Sequence, residues 1–75
     1  MQPHQESLVK EKAELDEKIA NLEAFQQGDI HRTLPEIERA RLKRQFWHMK
    51  DYSDVLGERI AAFEGVPYGQ VGSVR

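Results

Sequence analysis

The chain has 75 residues, with 13 acids, 11 bases and no cysteine, so it forms one domain at most and no disulfide supports it. A core of this size supplies only about 3–5 kcal/mol, and His4, His31 and His48 lie in no Cys/His cluster that would hold a structural zinc, which leaves association as the stabilising device. The mild acidity gives no pull toward nucleic acid or membrane, no apolar run approaches the roughly 18 residues of a membrane span, and the start lacks the basic and apolar stretches of a signal peptide; a cytoplasmic protein is expected.

The first element is a helix over about 3–27. No glycine interrupts it, and Pro3 suits the first turn, where a missing N–H costs nothing. Leu8, Leu15 and Leu22 repeat every seven residues with Ile19 on the same face, a narrow apolar stripe. Glu14 and Lys18 are spaced as an i, i+4 pair. Gly28-Asp29 reads as a stop, and the short segment to Arg32 favours an antiparallel return. Thr33 is expected to cap the next helix, with Glu36 closing a capping box and Pro35 in the tolerated first turn.

A second helix is expected over about 34–63, where Leu42, Met49, Leu56 and Phe63 repeat every seven residues beside Phe46 and Ile60. Gly57 is its weak point. Heptad spacing on both segments predicts an all-α fold, an antiparallel two-helix hairpin over 1–64 with coiled-coil-like packing. Three glycines and a proline in 65–75 predict a flexible tail. Folding the chain about a short turn pairs positions that sum to roughly 61. Leu56, Ile60 and Phe63 would then overhang the first helix, a patch that invites another subunit and a homo-oligomeric bundle.

Three groups of residues are candidates for function. The block from Arg39 to Lys50 holds five Lys or Arg residues and no acid. It would meet phosphates, or pair with the acid-rich first helix. No DNA-reading motif accompanies it, which argues against duplex nucleic acid. Trp47 points away from the apolar stripe, either as an interface anchor or as a single exposed aromatic. Gln45, Tyr52 and Arg59, seven apart, run along the edge of the stripe, where Lys12 or Lys18 can approach from another helix. Polar groups on a packing edge need partners. They form either an internal network with Glu11 or Asp16, or a ligand pocket at a subunit boundary with Arg59 and a lysine on an anion. Nucleophile, phosphate-loop and metalloprotease motifs are missing, so no enzyme, cofactor or metal site is expected.

The run Glu14-Leu15-Asp16-Glu17-Lys18-Ile19-Ala20-Asn21-Leu22-Glu23-Ala24-Phe25 and the pattern Leu42, Gln45, Met49, Tyr52, Leu56, Arg59-Ile60 resemble a family of small helical proteins from tailed phages and prophages, named after a crAss-like phage protein. That family includes counter-defence sponges that sequester the cyclic oligonucleotide signals of a bacterial immune system, with ligands held between subunits of an oligomer. The resemblance implies a non-enzymatic phage accessory protein acting in the bacterial cytoplasm. It makes Lys18 and Arg59 the phosphate-contacting residues. The family's base-stacking aromatic near the N-terminus has no counterpart beyond His4. The rival expectations are a nucleic-acid-associated regulator using residues 39–50, and a host-protein-binding or purely structural assembly partner.

Overall fold

A computed structural model describes residues 2–63, and the expected tail falls outside them. Three helices follow one another: α1 (Pro3–Gln26), α2 (Asp29–Thr33) and α3 (Glu36–Phe63). No strand occurs among the described residues. The two long helices pack antiparallel, and α2 closes one end.

Local chemistry fixes each boundary. Pro3 stands at the start of α1, and the Gln2 N–H donates to Gln5 Oε1 at 2.8 Å, satisfying a donor that would otherwise lack a partner. At the other end the Gln27 and Gly28 N–H groups donate to the carbonyls of Ala24 and Phe25 at 3.1 and 3.0 Å. Gly28 itself is extended (φ −93°, ψ 173°), a conformation any residue adopts, so the stop does not use a left-handed glycine. The chain then coils through α2 rather than turning directly. Leu34 is extended (φ −76°, ψ 151°), as the residue before a proline must be. The Pro35 carbonyl accepts from Glu38 and Arg39 at 3.0 Å each, opening α3.

The expected capping box is therefore corrected. Thr33 ends α2 instead of preceding α3, and its hydroxyl donates backward to the Ile30 carbonyl at 2.7 Å.

The packing face keeps the heptad. On α1, residues 5, 8, 12, 15, 19, 22 and 26 are buried or half-buried at alternating steps of three and four. On α3, residues 42, 46, 49, 53, 56, 60 and 63 do the same. Two such rows facing each other are the geometry of a short antiparallel coiled coil. Among the described residues the buried ones are Leu8, Ile19, Ser53, Leu56 and Gly57.

The register differs from the expected one. Glu11 meets Tyr52, Lys12 meets Ser53, Gln26 meets Leu42 and His4 meets Phe63, pairs that sum to between 63 and 68. The cause is α2, which lengthens the connection and lets α1 reach the far end of α3. Leu56 is consequently fully buried (0% exposed) within its own chain and offers no surface to a partner. Ile60 is half-buried, and Phe63 is half-buried with its ring edge-on to His4 at 6.5 Å. The overhanging patch of Leu56, Ile60 and Phe63 does not form.

Candidate functional site

The packing face carries a polar break near its middle. Lys12 Nζ donates to Asp16 Oδ2 at 2.8 Å and to Ser53 Oγ at 3.0 Å. Ser53 Oγ in turn donates to Asp16 Oδ1 at 2.5 Å. Ser53 is only 6% exposed, so its hydroxyl depends on these partners. The bonds from Lys12 and Ser53 hold the Asp16 carboxyl below the usual carboxylate range, with the Lys50 charge adding to the effect. Lys12, a candidate ligand contact, is thus committed to the helix–helix contact.

From this break the hairpin presents two edges. On the first, Tyr52 donates its hydroxyl to the Glu11 carboxylate. That bond raises the Tyr52 hydroxyl above its ordinary value, partial burial and the Glu11 charge add to it, and the Arg59 charge opposes it. Lys18 follows Glu11 by seven residues, and Gln45 and Arg59 flank Tyr52 by seven each. A step of seven is close to two full turns, so all lie on the same edge. The expected ligand residues are Lys12, Lys18, Gln45, Tyr52 and Arg59, and the last four share this edge. Lys12 sits beside them, inside the contact.

Antiparallel packing spreads the two cations apart. Lys18 lies two turns toward the closed end from the Glu11–Tyr52 bond, and Arg59 two turns the other way. At 1.5 Å rise per residue their backbones are about 20 Å apart along the axis. One phosphate cannot touch both within a single chain.

The basic block from Arg39 to Lys50 is divided by the helix. Arg41, Arg44 and His48 join Gln45, Met49 and Tyr52 around a cleft of about 560 Å³ on the first edge, with no acid in its lining. Arg41 keeps a long 3.4 Å contact to Glu38, while the side chains of Arg44, His48 and Lys18 make no hydrogen bond or ion pair among the described residues. Sequence reasoning missed Arg44 and His48 as neighbours of Gln45 and Tyr52. Their spacing (41, 44, 45, 48, 52) was the available signal, a stripe of threes and fours.

Arg39 and Lys43 belong to the second edge. There, with Glu23, Gln26, Gln27, Glu36, Phe46 and Trp47, they line a groove of about 560 Å³ at the closed end. Trp47 is 54% exposed, edge-on to Phe46 at 5.3 Å. Lys50 lines a smaller cleft of about 240 Å³ beside Asp16 and Asp54. Among the described residues no cluster of His, Asp and Glu is placed to hold a metal ion, and no helix is long and apolar enough to cross a membrane.

A family model described as Sequestin matches residues 2–62, which spans α1 to all but the last residue of α3. The chain belongs to the Sequestin family. The family name is consistent with a protein that binds and holds something, and the matched segment contains both edges. No curated protein and no solved structure matches the chain.

Proposed function

We propose that this Sequestin family member is a non-enzymatic phage counter-defence protein that sequesters a small anionic signal, a cyclic nucleotide, on its first edge. The observation that carries the reading is the acid-free cleft of Arg41, Arg44, Gln45, His48 and Tyr52, with Lys18 and Arg59 on the same edge by their spacing of seven. Cations supply charge-assisted bonds to phosphate oxygens, Gln45 offers an amide to a base edge, and the Tyr52 ring offers a stacking face. Of the acids beside the cleft, Glu11 accepts the Tyr52 hydroxyl and Glu38 keeps its long contact to Arg41.

The 20 Å separation of Lys18 and Arg59 makes one chain an incomplete site. Lys18 and Arg59 are equidistant from the Glu11–Tyr52 bond, so a two-fold axis through that level sets Lys18 of each copy beside Arg59 of the other. Two equal sites result, each with a lysine and an arginine from different chains. An isologous contact produces such duplication by symmetry. The division of residues 39–50 between two edges counts against a strand of nucleic acid lying along the whole block.

Calorimetric titration with cyclic di- and trinucleotides tests the proposal. Saturable binding of at least one of them is expected. Arg59→Ala and Lys18→Ala should each weaken it at least about tenfold, since a hydrogen bond to a charged group is worth ~1.5–3 kcal/mol, with the circular dichroism unchanged. Absence of binding to every cyclic nucleotide, or equal binding by the variants, would refute the assignment.

A further inference from the structure

The closed-end groove on the second edge takes no part in the site just described. One of its walls comes from α1, with Glu23 and Gln26, and the other from α3, with Arg39, Lys43 and Trp47. We infer that this groove docks a second copy of the chain about a two-fold axis, so that Glu23 of each copy meets Lys43 of the other and the two Trp47 rings pack between them.

The charge pattern favours this occupant. The side chains of Glu23, Glu36, Arg39 and Lys43 make no hydrogen bond or ion pair with another described residue. The α1 wall carries one acid, Glu23, and no base, while the α3 wall carries Arg39 and Lys43 against the single acid Glu36. Such a surface complements its own copy turned through 180°, because each wall then faces the opposite one. A uniformly charged partner, whether anion or polycation, would meet a like charge on one side.

The apolar content points the same way. Trp47 is a large rigid side chain of the kind that anchors interfaces, and half of it is exposed at 54%. Ile30 and Ile37, at 65% and 60% exposed, stand at the same end of the hairpin. The buried apolar side chains among the described residues are Leu8, Ile19 and Leu56 alone, a small core for a chain whose length already favours association.

Trp47 is the only tryptophan in the sequence, so its fluorescence reports on this groove and not on the Tyr52 edge. Diluting the wild-type protein should move the emission to the red as the second copy leaves. Glu23→Lys and Lys43→Glu, both still helical by circular dichroism, should each weaken this association at least about tenfold and emit in the red throughout. Mixed one to one, they should recover the blue emission, because the mixed pair restores an opposite-charge contact on both sides. Wild-type emission independent of concentration overturns the inference, as do variants that associate like wild type. A mixture that stays red also overturns it, since the charges would then act within one chain, and a shift produced only by adding cyclic nucleotide would make the groove a ligand site instead. If either variant loses its helicity, the wild-type dilution series decides alone.

Discussion

Ser53 shows how one side chain sets the conditions for its neighbours. It occupies a heptad position where a leucine would pack, and it bonds both Lys12 and Asp16 across the helix–helix contact. Ser53→Ala should lower stability by about 0.5–1.5 kcal/mol, the usual net worth of such a bond, as read from urea unfolding at fixed protein concentration. A variant as stable as wild type would mean that the lysine–aspartate pair stands without it. The pH dependence follows from the same residues. The Asp16 carboxyl is lowered by its bonds in the fold, so its contribution is present above the unfolded carboxylate range and is lost as pH falls through the folded value. The Tyr52 hydroxyl is raised by Glu11; its contribution is present below about pH 10, the ordinary tyrosine value, and is lost as pH rises through the folded one. Asp16→Asn should flatten the acid limb of the midpoint-against-pH curve, and Tyr52→Phe the alkaline limb. Unaltered limbs in both would remove these two bonds from the stability account.

At the scale of elements, the heptads of Leu8, Leu15 and Leu22 and of Leu42, Met49, Leu56 and Phe63 made the two long helices legible, because a repeat of seven leaves few alternatives. The link between them was not legible. Asp29–Thr33 has neither the length nor the periodicity that marks a helix in sequence, and Thr33-Leu-Pro-Glu36 carries the letters of a capping box without its geometry. That one added turn moved the register and buried Leu56. The edge of Gln45, Tyr52 and Arg59 survived the shift, since sevenfold spacing along one helix is independent of what it packs against. Lys12 changed role because its partner at Ser53 depends on the register. A substitution separates the two accounts of the link. Thr33→Ala should cost no more than about 0.5 kcal/mol, as for an exposed position, whereas loss of a helix N-cap would cost about 1 kcal/mol.

For the molecule as a whole, the same antiparallel packing that forms the hairpin also divides its functional groups. Each long helix gives one flank to the Tyr52 edge and the other to the Trp47 groove. Lys18 and Arg59 end up about 20 Å apart along the axis, and the apolar core stays small. Under the proposed function a second copy would resolve both features, supplying the missing cation at the first edge. Capture of an anionic signal would then be linked to association. Ligand should raise the unfolding temperature, and the gain should grow with ligand concentration.

The central claim, that each site takes Lys18 from one chain and Arg59 from another, is tested most directly by mixing Lys18→Ala with Arg59→Ala and titrating the cyclic nucleotide that the wild-type protein binds. Neither variant alone should bind at the wild-type strength. In the mixture, each hybrid dimer joins the intact Lys18 of one variant to the intact Arg59 of the other, so about a quarter of all sites should return at wild-type affinity, as a two-fold arrangement with random pairing requires. A mixture that binds no better than its two components would contradict the account.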